Sequence, residues 1–554
     1  MESWIIDILD PHVKEPKLEV PRDPSLGDYA FACFDLAKEK KKNPAEIAKE
    51  LASKIKPNIH VHKIVAAGPY VNFFINKKEL AKHLLIDIFE QKKDFGKQKK
   101  NEQTVVIEFS APNIAKPFGI GHLRSTVIGN SLLKLHIFMG YKVIGTNHLG
   151  DWGTQFGKEI AAWKRWGDEK RLKEDPIGHL LELYVRFHKE EETNPEMIEE
   201  GRDWFAKLER GDKEAVKLWE LFRDVSLKEF DRIYKMLNVH FDFNYGEAFY
   251  AELAKEVIQK FKKKGLAKED EGALIVELGL KHAPPLMLQK SNETTTYHTR
   301  DLATALYRLD EFNPNKVLYC VGSEQIMHFE QLFKALELYG IKKDIFEHIV
   351  FGRYRFPEGG MSTRKGNIIF MEDVLNRSIE LAKKTIEEKN PLLKNKEKVA
   401  HQVGVGAIVF GDLVNDRTRD IVFDWKRILD FEGETAPYLQ YAHARCCSII
   451  KRSGHGVSPK VNVERLSEPD EEKIVVRLSR FQSVVTDATK QCKPHILARY
   501  LLDLGQEFNT FYHNCPVLSE VKESQALRLL LVDSVRQILE IGLSLLGIEA
   551  PEEM

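Results

Sequence analysis

The sequence predicts an α/β domain built on a parallel sheet and split by a helical insertion, with an α+β domain before it and an all-α helical bundle after it. Three observations carry this reading: two strand–helix–strand units separated by a long charged stretch, an extended aromatic and β-branched run near the start, and the loss of strand signals after residue 434.

Residues 1–98 open with helical periodicity, including a helix-like segment over 34–55 that carries Lys38, Lys40, Lys41, Lys42, Lys49 and Lys54. They then give Ile64-Val65-Ala66-Ala67-Gly68-Pro69-Tyr70-Val71-Asn72-Phe73-Phe74-Ile75, which reads as strand. The polar stretch 91–102 around Gly96 has little to bury and suits a connector, so a boundary falls near residue 98. The first strand–helix–strand unit starts at Thr104-Val105-Val106-Ile107-Glu108-Phe109. A loop over 110–121 follows, then Leu123, Val127, Leu132 and Leu135 recur at helical spacing until Gly140, and Val143-Ile144 starts a second strand. The second unit runs from a strand at 317–321 through a helix at 328–339, stopped by Gly340, into a strand at 349–351. Such units imply parallel strands and right-handed crossovers. Residues 158–290 are the insertion, so the split α/β domain covers 99–433. Beyond it, helices are predicted over 435–453, 470–492, 496–513 and 523–546, a separate bundle covering 434–554.

Bulk properties narrow the function. A chain of 554 residues with 43% apolar content exceeds one core and suits about two to four domains. With 83 basic against 84 acidic side chains the net charge is −1, so any polyanion must be met by local patches such as the lysines of 34–55. No stretch approaches the roughly 18 uncharged apolar residues of a membrane span. The start, Met1-Glu2-Ser3-Trp4, lacks a signal peptide's positive region, which makes a cytoplasmic location the expectation. The six cysteines show no CxxC spacing and no His–Cys pattern, so reduced structural thiols and no protein-held metal are expected.

In an open parallel sheet, ligands bind beyond the carboxyl ends of strands, where N–H groups at a helix start hold phosphate. The loop after Phe109 lies there. Its sequence, Ser-Ala-Pro-Asn-Ile-Ala-Lys-Pro-Phe-Gly-Ile-Gly-His-Leu-Arg-Ser-Thr over 110–126, resembles the HIGH signature of class I aminoacyl-tRNA synthetases, and its flanks resemble the arginyl-tRNA synthetase family. The resemblance implies a Rossmann-like class I synthetase catalytic domain that binds ATP with Mg2+. Gly121 then lets adenine approach the backbone and His122 donates to the phosphates, with Gly119 standing where the family has a histidine. Met361-Ser362-Thr363-Arg364-Lys365-Gly366 resembles the second signature, KMSKS, whose cations neutralise departing pyrophosphate. Gly360 replaces its first lysine, and the family assigns the missing charge to the lysine matching Lys116. Adenylation needs no general base, because the attacking carboxylate is already ionised; Lys116, His122, Arg364 and Lys365 supply positioning and charge, with Met361 and Ser362 at the nucleotide.

A guanidinium needs carboxylates in planar reach. Tyr297-His298-Thr299-Arg300-Asp301 resembles the family's substrate strand, which places Tyr297 and Asp301 at the guanidinium with Gln325 nearby, and Glu108 and Asn113 at the α-amino and carboxylate groups. Read without the resemblance, Asp301 pairs with Arg300 or Arg308 and Tyr297 is core. The block 147–157, Asn-His-Leu-Gly-Asp-Trp-Gly-Thr-Gln-Phe-Gly, also matches the family, with Asp151 and Trp152 either shaping the pocket or serving structure.

The segment 434–445, Glu-Thr-Ala-Pro-Tyr-Leu-Gln-Tyr-Ala-His-Ala-Arg, resembles the family's anticodon-binding domain, with Tyr438, Tyr441 and Tyr512 as rings for splayed bases. By the same resemblance Tyr70 and Asn72 belong to an N-terminal domain touching the elbow of the RNA, and the end at 546–554 looks like the family's own terminus. The implied partners are tRNA-Arg and L-arginine, with no membrane and a monomeric state. Two rivals stand beside this reading. Another class I synthetase would show a zinc cluster or a basic pocket in place of Tyr297 and Asp301, and an RNA-binding paralogue without catalysis would fit Gly119 and Gly360.

Overall fold

The computed structural model describes residues 2–21, 23–355, 369–422, 424, 433–519 and 521–554. Its centre is a five-stranded parallel sheet in the spatial order Phe346–His348, Lys316–Tyr319, Thr104–Glu108, Lys142–Asn147, Phe243–Asn244. Val106 registers with Val317 on one side and Ile144 on the other. The central strand is buried along its whole length, which is why it reads as a continuous β-branched run. The strand expected at 349–351 pairs three residues earlier: its neighbour ends at Tyr319 and turns away, leaving only an isolated bridge between Gly322 and Phe351.

The helix Leu123–Phe138 follows the central strand and is packed on nearly every side, so polar residues such as Arg124, Asn130 and Ser131 are buried along with its leucines. Gly129 is needed where it crosses the sheet, since a Cβ there would lie 2.1 Å from Cβ of Phe109. The same helix meets Lys396–Leu413, Phe481–Lys490 and Lys522–Leu545. Ser131 Oγ donates to the Leu545 carbonyl at 3.0 Å, from a residue 414 positions later. The tail beyond is pinned to the bundle, with Gln440 Nε2 donating to the Glu549 carbonyl at 2.8 Å. One continuous core therefore runs from Ile5 through Ile107 and Leu132 to Ile548.

The extended run near the start is a hairpin, not one strand. Val61–Ala67 and Tyr70–Ile75 pair antiparallel about Gly68, whose φ of +56° suits glycine, inside a four-stranded sheet. The segment 34–55 is likewise two helices, Phe34–Lys40 and Pro44–Lys54. Proline cannot continue a helix, and Asn43 starts the second one by accepting from Ala45 N–H at 2.8 Å. The insertion is helical from Thr154–Trp166 to Lys213–Met236, then adds a three-stranded antiparallel sheet, Ala267–Asp270, Ala273–Val276 and Leu286–Gln289, that the charged pattern concealed. After residue 434 the described residues hold no strand, and the expected 470–492 helix breaks at Arg480 into Pro469–Ser479 and Phe481–Lys490. Among the described residues no helix is long and apolar enough to cross a membrane, and all six cysteines are free.

Candidate active site

The loop leaving the central strand is strained and held. Ser110, Ala111 and Ala115 have φ of 72°, 49° and 57°, in the left-handed region that L side chains rarely adopt. Buried acceptors fix it: Ser125 Oγ takes Ser110 N–H at 2.9 Å, Asn147 Oδ1 takes Ala111 N–H at 3.1 Å, and Ser226 Oγ takes Ala115 N–H at 2.8 Å. Two of these three come from helix Leu123–Phe138 and the insertion, so the loop's shape is set by elements distant in sequence.

The loop delivers His122 to the start of the helix, with its ring centre 5.2 Å from that of Phe118. Its Nδ1 is buried with no hydrogen-bond partner among the described residues. Burial pushes the imidazole down to about 4, against a hydrogen bond that the ring donates to the Gly119 carbonyl and with help from the Lys116 charge, so the ring is neutral at physiological pH. Lys116 Nζ donates to Gln155 Oε1 at 3.0 Å and lies 4.8 Å from the centre of the Tyr184 ring. Ile120 N–H donates to the Ile369 carbonyl at 3.0 Å, and Met371 N–H donates to the Phe118 carbonyl at 2.9 Å. The segment carrying Gly119 and Gly121 is thus hydrogen-bonded to the chain that follows the second signature. Gly360, Met361, Ser362, Arg364 and Lys365 lie outside the described residues.

Tyr297 to Asp301 is not a strand. It opens the helix Tyr297–Phe312, because Leu302, Ala303 and Leu306 bury one helical face while Thr296 stays extended before it. Tyr297 and Asp301 are one turn apart on that helix. Asp301 meets His328 Nε2 at 2.7 Å and His148 Nε2 at 3.8 Å, and not Arg300 or Arg308. Burial raises its carboxyl, but the hydrogen bond and charge of His328, with His148 and Arg300, bring it net below the ordinary carboxylate range. Tyr297 is 52% exposed, so it is not core; its ring stacks 4.0 Å from His298 and 5.2 Å from His328. Gln325 is exposed at the start of Ile326–Tyr339, the helix that also carries His328. Glu108 sits at the end of the central strand in a buried ion pair with Arg308 at 2.6 Å. Asn113 bridges to Gly150, where a Cβ would strike Asn113 Oδ1 at 2.2 Å. Asp151 is structural: its Oδ1 accepts from Ala248 N–H at 2.8 Å.

Sequence reasoning missed Arg308, His328 and the buried group around Arg124. Arg124 Nε donates to Asp412 Oδ2 at 3.1 Å, Tyr354 Oη donates to the same oxygen at 2.6 Å, and Arg124 Nη1 donates to the carbonyls of Gly352 and Arg419, each at 2.8 Å. No local spacing signals such partners, which lie far apart in the chain.

The proposed RNA contacts divide. Asn72 is 4% exposed inside the N-terminal sheet, where its neighbours on both sides are paired strands, so it is withdrawn from the contact surface; Tyr70 is half-buried against Phe34. Tyr438 packs beside Gly505 and accepts from Asn509 Nδ2 at 2.6 Å, a structural role. Tyr441 and Tyr512 are 50% and 37% exposed, flank the Arg445 guanidinium at 4.7 and 5.3 Å, and line a cavity of about 1080 Å³ with Lys451 and Arg536.

Comparison with known proteins agrees with this arrangement. The family model described as tRNA synthetases class I (R), catalytic domain, matches residues 84–425. A DALR anticodon binding domain matches 439–554 and an arginyl tRNA synthetase N terminal domain matches 2–75. The chain is 47% identical over 547 residues to an arginine–tRNA ligase of Clostridioides difficile, covering 98% of this chain and 96% of that protein. It is 48% identical over 539 residues to one of Bacillus anthracis, covering 97% and 95%. The arginyl-tRNA synthetase of Thermus thermophilus superposes with a TM-score of 0.87 at 26% identity, covering 100% of this chain and 99% of that one. With its catalytic domain, its N-terminal domain and its anticodon-binding bundle all matched, the chain belongs to the arginyl-tRNA synthetase family, the class I arginine–tRNA ligases.

Proposed function

We propose that this arginine–tRNA ligase divides its chemistry between two pockets at the carboxyl end of the parallel sheet. The nucleotide side is the strained loop: Gly119 and Gly121 admit adenine and phosphate close to the backbone, and neutral His122 and charged Lys116 bind the phosphates. Supporting this, His122 has a buried nitrogen with no partner among the described residues, and Lys116 rests on a neutral amide that a phosphate would outcompete. Arg364 and Lys365, with Met361 and Ser362, complete the charge on the far side. ATP would supply the electrophilic phosphorus, and magnesium bound with it would neutralise charge on its phosphates.

The amino-acid side is the Asp301 carboxylate, with Tyr297 and Gln325 around the guanidinium and Asn113 and Glu108 toward the α-carbon. Glu108 shares its charge with Arg308, which leaves it an orienting acceptor for an ammonium. The observation that carries the reading is Asp301, a half-buried carboxylate held below its ordinary range whose ion-pair contacts among the described residues are His328 and His148. A guanidinium offers it a bidentate partner that a neutral side chain cannot, since a buried unpaired carboxylate is costly. The esterified RNA is read at Tyr441 and Tyr512, with Tyr70 toward its elbow, by a monomer in the cytoplasm. Arginine-dependent ATP–pyrophosphate exchange, run with and without tRNA-Arg, is the test. Exchange that survives Asp301→Ala would overturn the pocket.

A further inference from the structure

Glu159 lies on the insertion helix Thr154–Trp166, one turn beyond Gln155 on the same stripe, and Gln155 accepts from Lys116. It is 1% exposed, and both of its carboxylate oxygens are buried with no hydrogen-bond partner among the described residues. Placing a carboxyl there costs several kcal/mol if it is ionised and unpaired, so the position is expensive for a helix that could carry an apolar residue. We propose that Glu159 is a positioning residue for Lys116, a carboxylate whose field favours the ammonium at its Gln155 station on the insertion helix whenever the nucleotide does not draw it away.

The surroundings support one partner. Lys116 is the charge whose field reaches Glu159, opposing the burial that raises its carboxyl well above the usual range. Helix Pro176–Glu191 contributes Tyr184 beneath Lys116, and His188 and Glu191, which pair with each other and with Lys158. Helix Glu196–Glu209 meets the Glu159 helix through Gly201 and Phe205 and through Glu200, which pairs with Arg165, and Lys213–Met236 meets it through Phe222 and through Glu214, which pairs with Lys164; both carboxylates already have a cation of their own. Lys116 therefore has two destinations. With the phosphates it leaves Glu159 uncompensated and protonated; on the insertion helix it lowers the carboxyl and favours its ionisation. Drawing Lys116 onto a triphosphate is thus coupled to proton uptake by Glu159, and nucleotide use weakens as pH rises through that ionisation.

This inference rests on Lys116 binding phosphate. The test is kcat/KM for ATP in tRNA-dependent pyrophosphate exchange by the full chain, from about pH 6.5 to about pH 9.5, spanning the range in which a raised carboxyl titrates. The parent should lose efficiency on the alkaline side, approaching roughly tenfold per pH unit through KM rather than kcat. Glu159→Gln should lack that loss, and Glu159→Asp should retain it with a displaced midpoint, because the shorter chain withdraws the carboxylate. An alkaline limb unchanged in Glu159→Gln, or an undisplaced midpoint in Glu159→Asp, overturns the proposal. Lys116→Ala separates the two failures. If it exchanges at the parental rate the phosphate role of Lys116 is wrong, whereas a crippled Lys116→Ala beside an unchanged Glu159→Gln limb sinks only the present inference.

Discussion

His328 Nε2 lies 2.7 Å from Asp301 Oδ2, joining the first turns of two helices that start 29 residues apart, at Tyr297 and Ile326. Removing the carboxylate removes the histidine's partner and the one proposed for the guanidinium. Asp301→Asn should raise the arginine KM by at least about 30-fold, the lower end of roughly 2–5 kcal/mol for breaking a buried charged hydrogen bond. Its affinity for tRNA should be unchanged in a filter-binding assay.

Arg124 and Asp412 are each 1% exposed, so neither ion survives alone without penalty. Arg124→Leu should destabilise the protein by roughly 3–5 kcal/mol, because it strands the Asp412 charge. Urea unfolding that places the variant within about 1 kcal/mol of the parent would contradict this.

Burial holds His122, His298 and His348 each at about 4, below the ordinary imidazole value of about 6.5. Between those values the unfolded chain binds protons that the folded one refuses. The stability they contribute is therefore complete above about pH 6.5 and is lost as pH falls toward about 4. Thermal unfolding followed across that window should show a falling midpoint, and replacing His348 with glutamine should shallow the slope.

Tyr441→Ala or Tyr512→Ala should each weaken tRNA binding by about 1–3 kcal/mol, the value of one stacked base. Tyr438→Phe should leave RNA affinity alone and lower the melting temperature, since it loses only the Asn509 hydrogen bond. Equal effects on RNA from all three would show that the bundle's aromatic face has been misread.

Much of this architecture is legible in residue order, because β-branched runs such as 104–109 and glycine stops such as Gly140 act locally. The failures also have local causes. The break at Pro44 was visible but outweighed by continuous lysine spacing, and Gly68-Pro69 was read through as strand. Tyr297 to Asp301 was assigned to a strand by likeness, although Leu302, Ala303 and Leu306 recur at helical spacing. The site's residue types were recoverable; their surroundings were not. Tyr438 and Tyr441 are three residues apart on one helix, and packing against Gly505 separates the half-buried ring from the open one. His328, Arg308 and Glu159 acquire meaning through neighbours brought in by tertiary contacts, which no spacing rule encodes.

The hydrogen bond from Ser131 to the carbonyl of Leu545 also sets an order of events during synthesis. A ribosome that has reached Ser131 must still translate 414 residues before the Leu545 end of that contact exists. Until then the helix has only part of its final cover, from the sheet and from the helices Lys396–Leu413 and Phe481–Lys490. For the same reason, a shortened protein lacking the bundle would lose catalysis through an unsupported active-site helix, whatever it had lost in grip on RNA.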